Sequence, residues 1–203
     1  MLRIIIDNMK KIVFATNNEH KLQEMRQIIG SEFEVLSLSD IGCHEDIPET
    51  ADTIEGNARQ KAFYVKEHYG YDCFSDDTGL EIDALGGEPG VRSARYAGDD
   101  HNSENNIDKV LTLLGDRRDR SARFRTAIAL LQGDKLTIFE GKVEGNILTE
   151  RHGSGGFGYD SIFAPVEADG LTFAQMSPQQ KNAISHRGRA TRRLIAYLLG
   201  EEK

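Results

Sequence analysis

Two adjacent carboxylates, Asp76 and Asp77, follow the short apolar run DCF at 72–74 and precede Thr78 and Gly79. A brief strand can present such groups to a cleft. Adjacent side chains leave an extended backbone in different directions, so one carboxylate can face a metal while the other anchors the chain. With Glu49 or Glu45 from an earlier segment, a hard oxygen-ligand Mg²⁺ site becomes available. The same tetrapeptide also fits a solvated acidic turn.

Three further segments carry groups suited to an anion or a flat ring. Residues 153–160, GSGGFGYD, hold four glycines whose backbone N–H groups can approach a ligand closely, and Phe157 and Tyr159 add flat faces for a base or sugar. The segment lacks the GK[ST] ending of a P-loop and the GxGxxG spacing, so it equally fits a flexible turn. Lys181, His186 and Arg187 lie within about two helical turns and offer donors to a phosphate or carbonyl oxygen, or form a basic solvated face. Thr16-Asn17-Asn18 with Lys21 joins a strand end to a helix start, which favours an anion, and Thr16 or Asn18 also suits plain N-capping.

The elements that must position these groups are legible from periodicity. Residues 11–15, KIVFA, read as a strand, Glu19–Ile29 as a helix stopped by Gly30, and 33–38 as a second strand. A polar loop from 41 to 51 carries Glu45, Asp46 and Glu49. A helix over 53–69 places Asn57 and Lys61 one turn apart. DCF at 72–74 and 80–85 read as two short strands separated by the acidic tetrapeptide, and 102–114 as a helix. A hairpin of 122–131 and 135–143 turns at 132–134, and one closing helix covers 178–199. Strands and helices mixed without strict alternation predict an α/β (α+β) fold on a mixed sheet.

Composition narrows the partners. The 203 residues suffice for one large domain or two packed lobes, and the formal charge of −8 leaves no broad basic face for a nucleic-acid polymer. Clustered cations and a metal can still hold a small polyanion. Cys43 and Cys73 are too far apart for a CxxC motif and too few for a disulfide framework, which fits a reduced, cytoplasmic setting. No apolar run is long enough to span a membrane. Residues 1–8 read as an N-terminal extension before a start at Met9, followed by a single two-lobed domain over 9–203.

Taken in order, TNNEHK at 16–21, NARQKA at 57–62, SDDTGLEIDALGGEPGVRSARYAG at 75–98, GSGGFGYD at 153–160 and KNAISHRG at 181–188 resemble the inosine/xanthosine triphosphate pyrophosphatase family. These are also called Ham1-like or non-standard purine NTP pyrophosphatases, and the resemblance runs from Lys10 to the C-terminus. It implies Mg²⁺-dependent hydrolysis of dITP, ITP, XTP or dXTP to the monophosphate and pyrophosphate. It further implies an elongated mixed sheet in two lobes with a central cleft, and a homodimer. By the same resemblance Asp77 is the catalytic carboxylate and a metal ligand with Glu49. Thr16, Asn17, Asn18, Glu19, His20 and Lys21 handle the triphosphate, with Asn17 where glycine is usual and Thr78 where serine is usual. Phe157, Gly158, Tyr159, Asp160, Lys181, His186 and Arg187 complete the expected substrate contacts, His186 and Arg187 choosing the base. Other base preferences, or a silent nucleotide sensor, are the alternative functions.

Overall fold

The computed structural model describes residues 10–201, and the expected extension at 1–8 and start at Met9 lie outside them. Strand β1 (Lys10–Phe14) starts on two exposed lysines and ends in buried Ile12, Val13 and Phe14. Asn18 caps helix α1 (Glu19–Ile29) by accepting the Lys21 N–H at 3.0 Å, and Leu22, Met25 and Ile29 form its buried stripe. Strand β2 (Phe33–Leu36) pairs parallel with β1 and stops two residues earlier than the periodicity predicts. The cause is local: Asp40 accepts both the N–H and the hydroxyl of Ser37 at 2.8 Å and bends the chain into a 3-10 turn.

Thr53 caps α2 (Ile54–Tyr69), whose Ala58, Ala62 and Val65 are buried. The chain then forms β3 (Cys73–Ile82), a single ten-residue strand and not two strands around an acidic turn. Asp76 to Gly79 pair antiparallel with Ile128 to Arg125 of β5 (Ser121–Gln132), so the ladder satisfies their backbone groups. Buried polar side chains survive in this strand because each carboxylate has partners. A two-residue strand, β4 (Pro89–Gly90), pairs with β3, and α3 (Ser103–Leu114) is capped by Asn102.

β5 turns at Gly133-Asp134 into β6 (Lys135–Ile147), and β7 (Phe163–Pro165) pairs with the end of β6. The mixed sheet runs β2-β1-β3-β5-β6-β7, with β4 beside β3. The predicted closing helix is two helices, α4 (Pro178–Ile184) and α5 (His186–Leu199). Ser185 breaks them: its extended backbone ends α4, and its hydroxyl accepts the Gly188 N–H at 3.0 Å to begin α5.

Helices α1 and α5 share a buried apolar cluster with Phe14, Phe74, Ile128 and Leu130. Helix α2 packs on alternate residues of the same strands, among them Val13, Cys73, Ala127 and Ala129. Flanking helices thus cover both faces of the first half of the sheet, as the α/β reading predicts. A third cluster joins α3 to β5, β6 and β7 through Ile107, Val110, Phe124, Val143 and Phe163. Among the described residues no helix is long and apolar enough to cross a membrane.

Candidate active site

A cleft of about 720 Å³ opens where the end of β1, the middle of β3, the glycine-rich segment and the start of α5 converge. It is lined by Thr16, Asn17, Asn18, Lys21, Glu49, Asp77 and Thr78, and by Phe157 to Asp160, Lys181, His186 and Arg187. Glu19 and His20 of the predicted set do not line it. Both lie in the exposed first turn of α1, where the His20 ring stacks on Phe157 at 5.2 Å between centroids.

Residues 76 and 77 have opposite surroundings. Asp76 is fully buried, with Lys21 Nζ at 3.0 Å and Arg187 Nε at 3.1 Å. Burial by itself would raise its pKa, but Lys21, Arg187 and Lys61 outweigh that and hold it far below the usual carboxylate range. Asp77 lines the cleft and accepts Asn57 Nδ2 at 3.1 Å and the Thr78 N–H at 2.9 Å. Burial pushes Asp77 up, with the charge of Glu49 adding to it, against the pull of Lys61 and Lys21.

Lys61, one turn after Asn57 on α2, is buried and ion-paired to Glu49. Burial lowers its pKa, but Asp77, Glu49 and Asp76 more than offset this, so the ammonium stays charged. Glu49 is held low by Lys61 in spite of burial. The Asn17 amide donates to the Glu45 carbonyl at 3.2 Å and to Asp46, which also lines the cleft, at 3.4 Å. Among the described residues only His101 and Asp169 are non-glycines with positive φ, so position 17 does not require glycine.

The glycine-rich segment and the starts of α4 and α5 add aromatic and cationic groups to the cleft. Asp160 accepts the Phe157 N–H at 2.8 Å and Lys181 Nζ at 2.6 Å. Gly156 has φ +70°, and a Cβ there would meet the Asp160 carboxylate, so the tight loop needs glycine. Tyr159 is buried, its hydroxyl donating to the Ser93 carbonyl at 2.8 Å, which makes it wall more than exposed platform. Phe157 keeps a partly open ring with Lys181 Nζ 4.7 Å from its centroid. His186 stacks on Phe124 at 4.6 Å, and its buried Nδ1 has no hydrogen-bond partner among the described residues. Burial, then Arg187 and Lys181, keep this imidazole neutral.

Sequence reasoning missed three residues that hold the site together. Glu24 of α1 binds both Lys181 and Arg187, Asn57 holds Asp77, and Arg95 reaches the Glu49 carbonyl at 3.3 Å. The four-residue spacing of Asn57 and Lys61 was a usable signal. Glu24, on a helix otherwise read for its apolar stripe, carried none.

Among the described residues no group of three or more His, Cys, Asp and Glu side chains could hold a metal ion. Mg²⁺, however, is held by one or two carboxylates together with substrate phosphates and waters. The donor chemistry of Asp77 and Glu49, both lining the cleft and with the charge of Glu49 acting on Asp77, fits that pattern.

The Ham1 family model matches residues 12–197. A dITP/XTP pyrophosphatase of Flavobacterium psychrophilum is 54% identical over 187 residues, 92% of this chain and 98% of that protein. Its counterpart in Porphyromonas gingivalis is 52% identical over 192 residues, 94% of this chain and 98% of the other. The Ham1 protein of Staphylococcus aureus is similar in structure, with a TM-score of 0.85 and 40% identity over 95% of this chain and 100% of its own. A HAM1 protein of Coxiella burnetii matches with the same TM-score, identity and coverage.

Proposed function

The chain belongs to the Ham1 family, and from that premise we propose that it hydrolyses non-standard purine nucleoside triphosphates, dITP, ITP, XTP and dXTP, to the monophosphate and pyrophosphate. One observation carries the reading: a single cleft brings together cations and carboxylates, Lys21, Lys61, Glu49 and Asp77, with the flat ring of Phe157 and a buried neutral His186. That combination suits a ligand with a polyanionic tail and a flat head.

In this reading Lys21 and Lys61 offset phosphate charge, and the desolvated cleft strengthens both interactions. Asp77 takes a proton from the attacking water. The water oxygen bonds to phosphorus as the bridge between the α and β phosphates breaks, and pyrophosphate leaves. The raised pKa of Asp77 suits a base. Asp77 and Glu49 would hold Mg²⁺, which when bound neutralises phosphate oxygens and charge on the leaving group.

Base choice follows from donors at the start of α5. Hypoxanthine and xanthine present O6 as an acceptor where adenine presents an amino group. The His186 imidazole and the backbone N–H groups of His186 and Arg187, which precede the Gly188 N–H taken by Ser185, supply donors there. An adenine would oppose donor to donor, a mismatch that rejects the wrong ligand strongly. We further propose that the described residues work as one two-lobed unit in a homodimer, in the cytoplasm, where free Cys43 and Cys73 stay reduced.

The decisive experiment is a product-resolved screen of dITP, ITP, XTP, GTP and ATP with and without Mg²⁺. It should yield one pyrophosphate per turnover, only with metal, and kcat/KM for ATP lower by at least on the order of 10³-fold. Orthophosphate as the direct product would overturn the reading.

A further inference from the structure

We infer that Asn57 is a positioning residue that locks the Asp77 carboxylate in its working orientation and ties it to the loop that carries Glu49. Asn57 is the fourth residue of α2, is 1% exposed, and does not line the cleft. Its amide nitrogen donates to Asp77 Oδ2 at 3.1 Å, and its amide oxygen accepts the Ala51 N–H at 2.9 Å. Flipping the amide would set its oxygen against a carboxylate and its NH₂ against an N–H, so the two partners together permit one orientation.

The second oxygen of Asp77 accepts the Thr78 N–H at 2.9 Å. One oxygen is therefore held by a helix side chain and the other by the strand's own backbone. The carboxylate plane cannot rotate without breaking both bonds. Each oxygen still keeps a lone pair for a water or a cation. Ala51 lies two residues beyond Glu49, so the same amide sets the distance between the two carboxylates of the cleft. A residue acting this way orients the reacting group and touches no substrate, so its loss should appear in kcat and leave binding intact.

This inference rests on the assignment of Asp77 as the base. The test compares Asn57→Leu, which keeps about the same volume but removes both the donor to Asp77 and the acceptor for Ala51, with Asn57→Ala, which removes the volume as well. kcat and KM for dITP would be measured at saturating Mg²⁺, with binding of a non-hydrolysable dITP analogue and thermal unfolding alongside. The expected result in each folded variant is a kcat loss of about ten- to hundredfold, with KM and analogue binding changed less than about threefold. Wild-type kcat in a folded Asn57→Leu would overturn the inference, as would a loss confined to KM and analogue binding. If Asn57→Leu does not fold, Asn57→Ala carries the same two outcomes. An inactive Asp77→Asn beside full-speed Asn57 variants sinks this inference alone, whereas an active Asp77→Asn sinks the assignment of the base.

Discussion

Asp76 and Asp77 are consecutive residues of β3 whose carboxylates serve opposite faces of the sheet. Asp76 is closed between Lys21 of α1 and Arg187 of α5, and Asp77 rests on Asn57 of α2 while lining the cleft. Alternation along a strand produces this division, and the helices packed on each face supply different partners. Replacing the two should therefore have different consequences.

Asp77→Asn keeps the shape of the side chain, and its effect should fall on the chemistry. We expect turnover of dITP to drop by about 10²–10⁴-fold with the fold retained, read by steady-state kinetics and circular dichroism. Wild-type turnover would remove Asp77 from the mechanism.

Asp76→Ala leaves the half-buried Lys21 without its carboxylate and the buried Arg187 with the Glu24 carboxylate alone. Breaking a buried pair by removing one partner costs about 3–5 kcal/mol. Denaturant unfolding should show a loss of that order, well beyond that of Asp77→Asn. Equal stability in the two variants would contradict the opposite roles.

Glu49→Gln retains an acceptor for Lys61 but removes one of the two proposed metal carboxylates. The Mg²⁺ concentration for half-maximal activity should rise at least about tenfold, with most activity recovered at high Mg²⁺. An unchanged Mg²⁺ titration would move the second ligand elsewhere.

The buried imidazole of His186 predicts a pH dependence of stability. Its surroundings are the cations Arg187, Lys181 and Lys21 and one carboxylate, Asp76, and with burial they hold its pKa well below 6.5. The unfolded chain therefore takes up a proton first. Stability should be complete above about pH 6.5 and fall below it by about 1.4 kcal/mol per pH unit. In His186→Phe, which retains stacking on Phe124, that slope should diminish by one proton between pH 6.5 and 5. Parallel profiles for wild type and variant would show that His186 is not the group responsible.

Gly141 of β6 lies against the start of α5: a Cβ there would come within 2.0 Å of the His186 carbonyl and 2.6 Å of the Ala190 nitrogen. Gly141→Ala must push the helix that carries His186 and Arg187. A stability loss of about 1–3 kcal/mol with a raised KM for dITP is expected, and an unchanged melting temperature and KM would show that α5 yields freely.

Helix positions were legible because their signals act within one turn. Asn18, Thr53 and Asn102 cap the helices that periodicity predicts, and apolar spacing on α1 and α2 marks their buried stripes. Propensity misread β3 because Ser75-Asp76-Asp77-Thr78-Gly79 looks like a polar turn. Only pairing with β5 and the buried cations make it a strand. The closing helix was read as continuous because Ser185 keeps the polar pattern while its backbone leaves the helix.

By itself the sequence determined the α/β class, the ordered motifs and about half of the residues that line the cleft, since these depend on residue type and short spacing. The family resemblance already pointed to Asp77; tertiary structure alone decided that Asp76 is buried between Lys21 and Arg187, that Glu24 clasps Lys181 and Arg187, and that Asn57 holds Asp77. The physical reason is distance along the chain. The ion pairs of Asp76 span 55 and 111 residues, and those of Glu24 span 157 and 163, so no local pattern encodes them before the sheet brings the segments together.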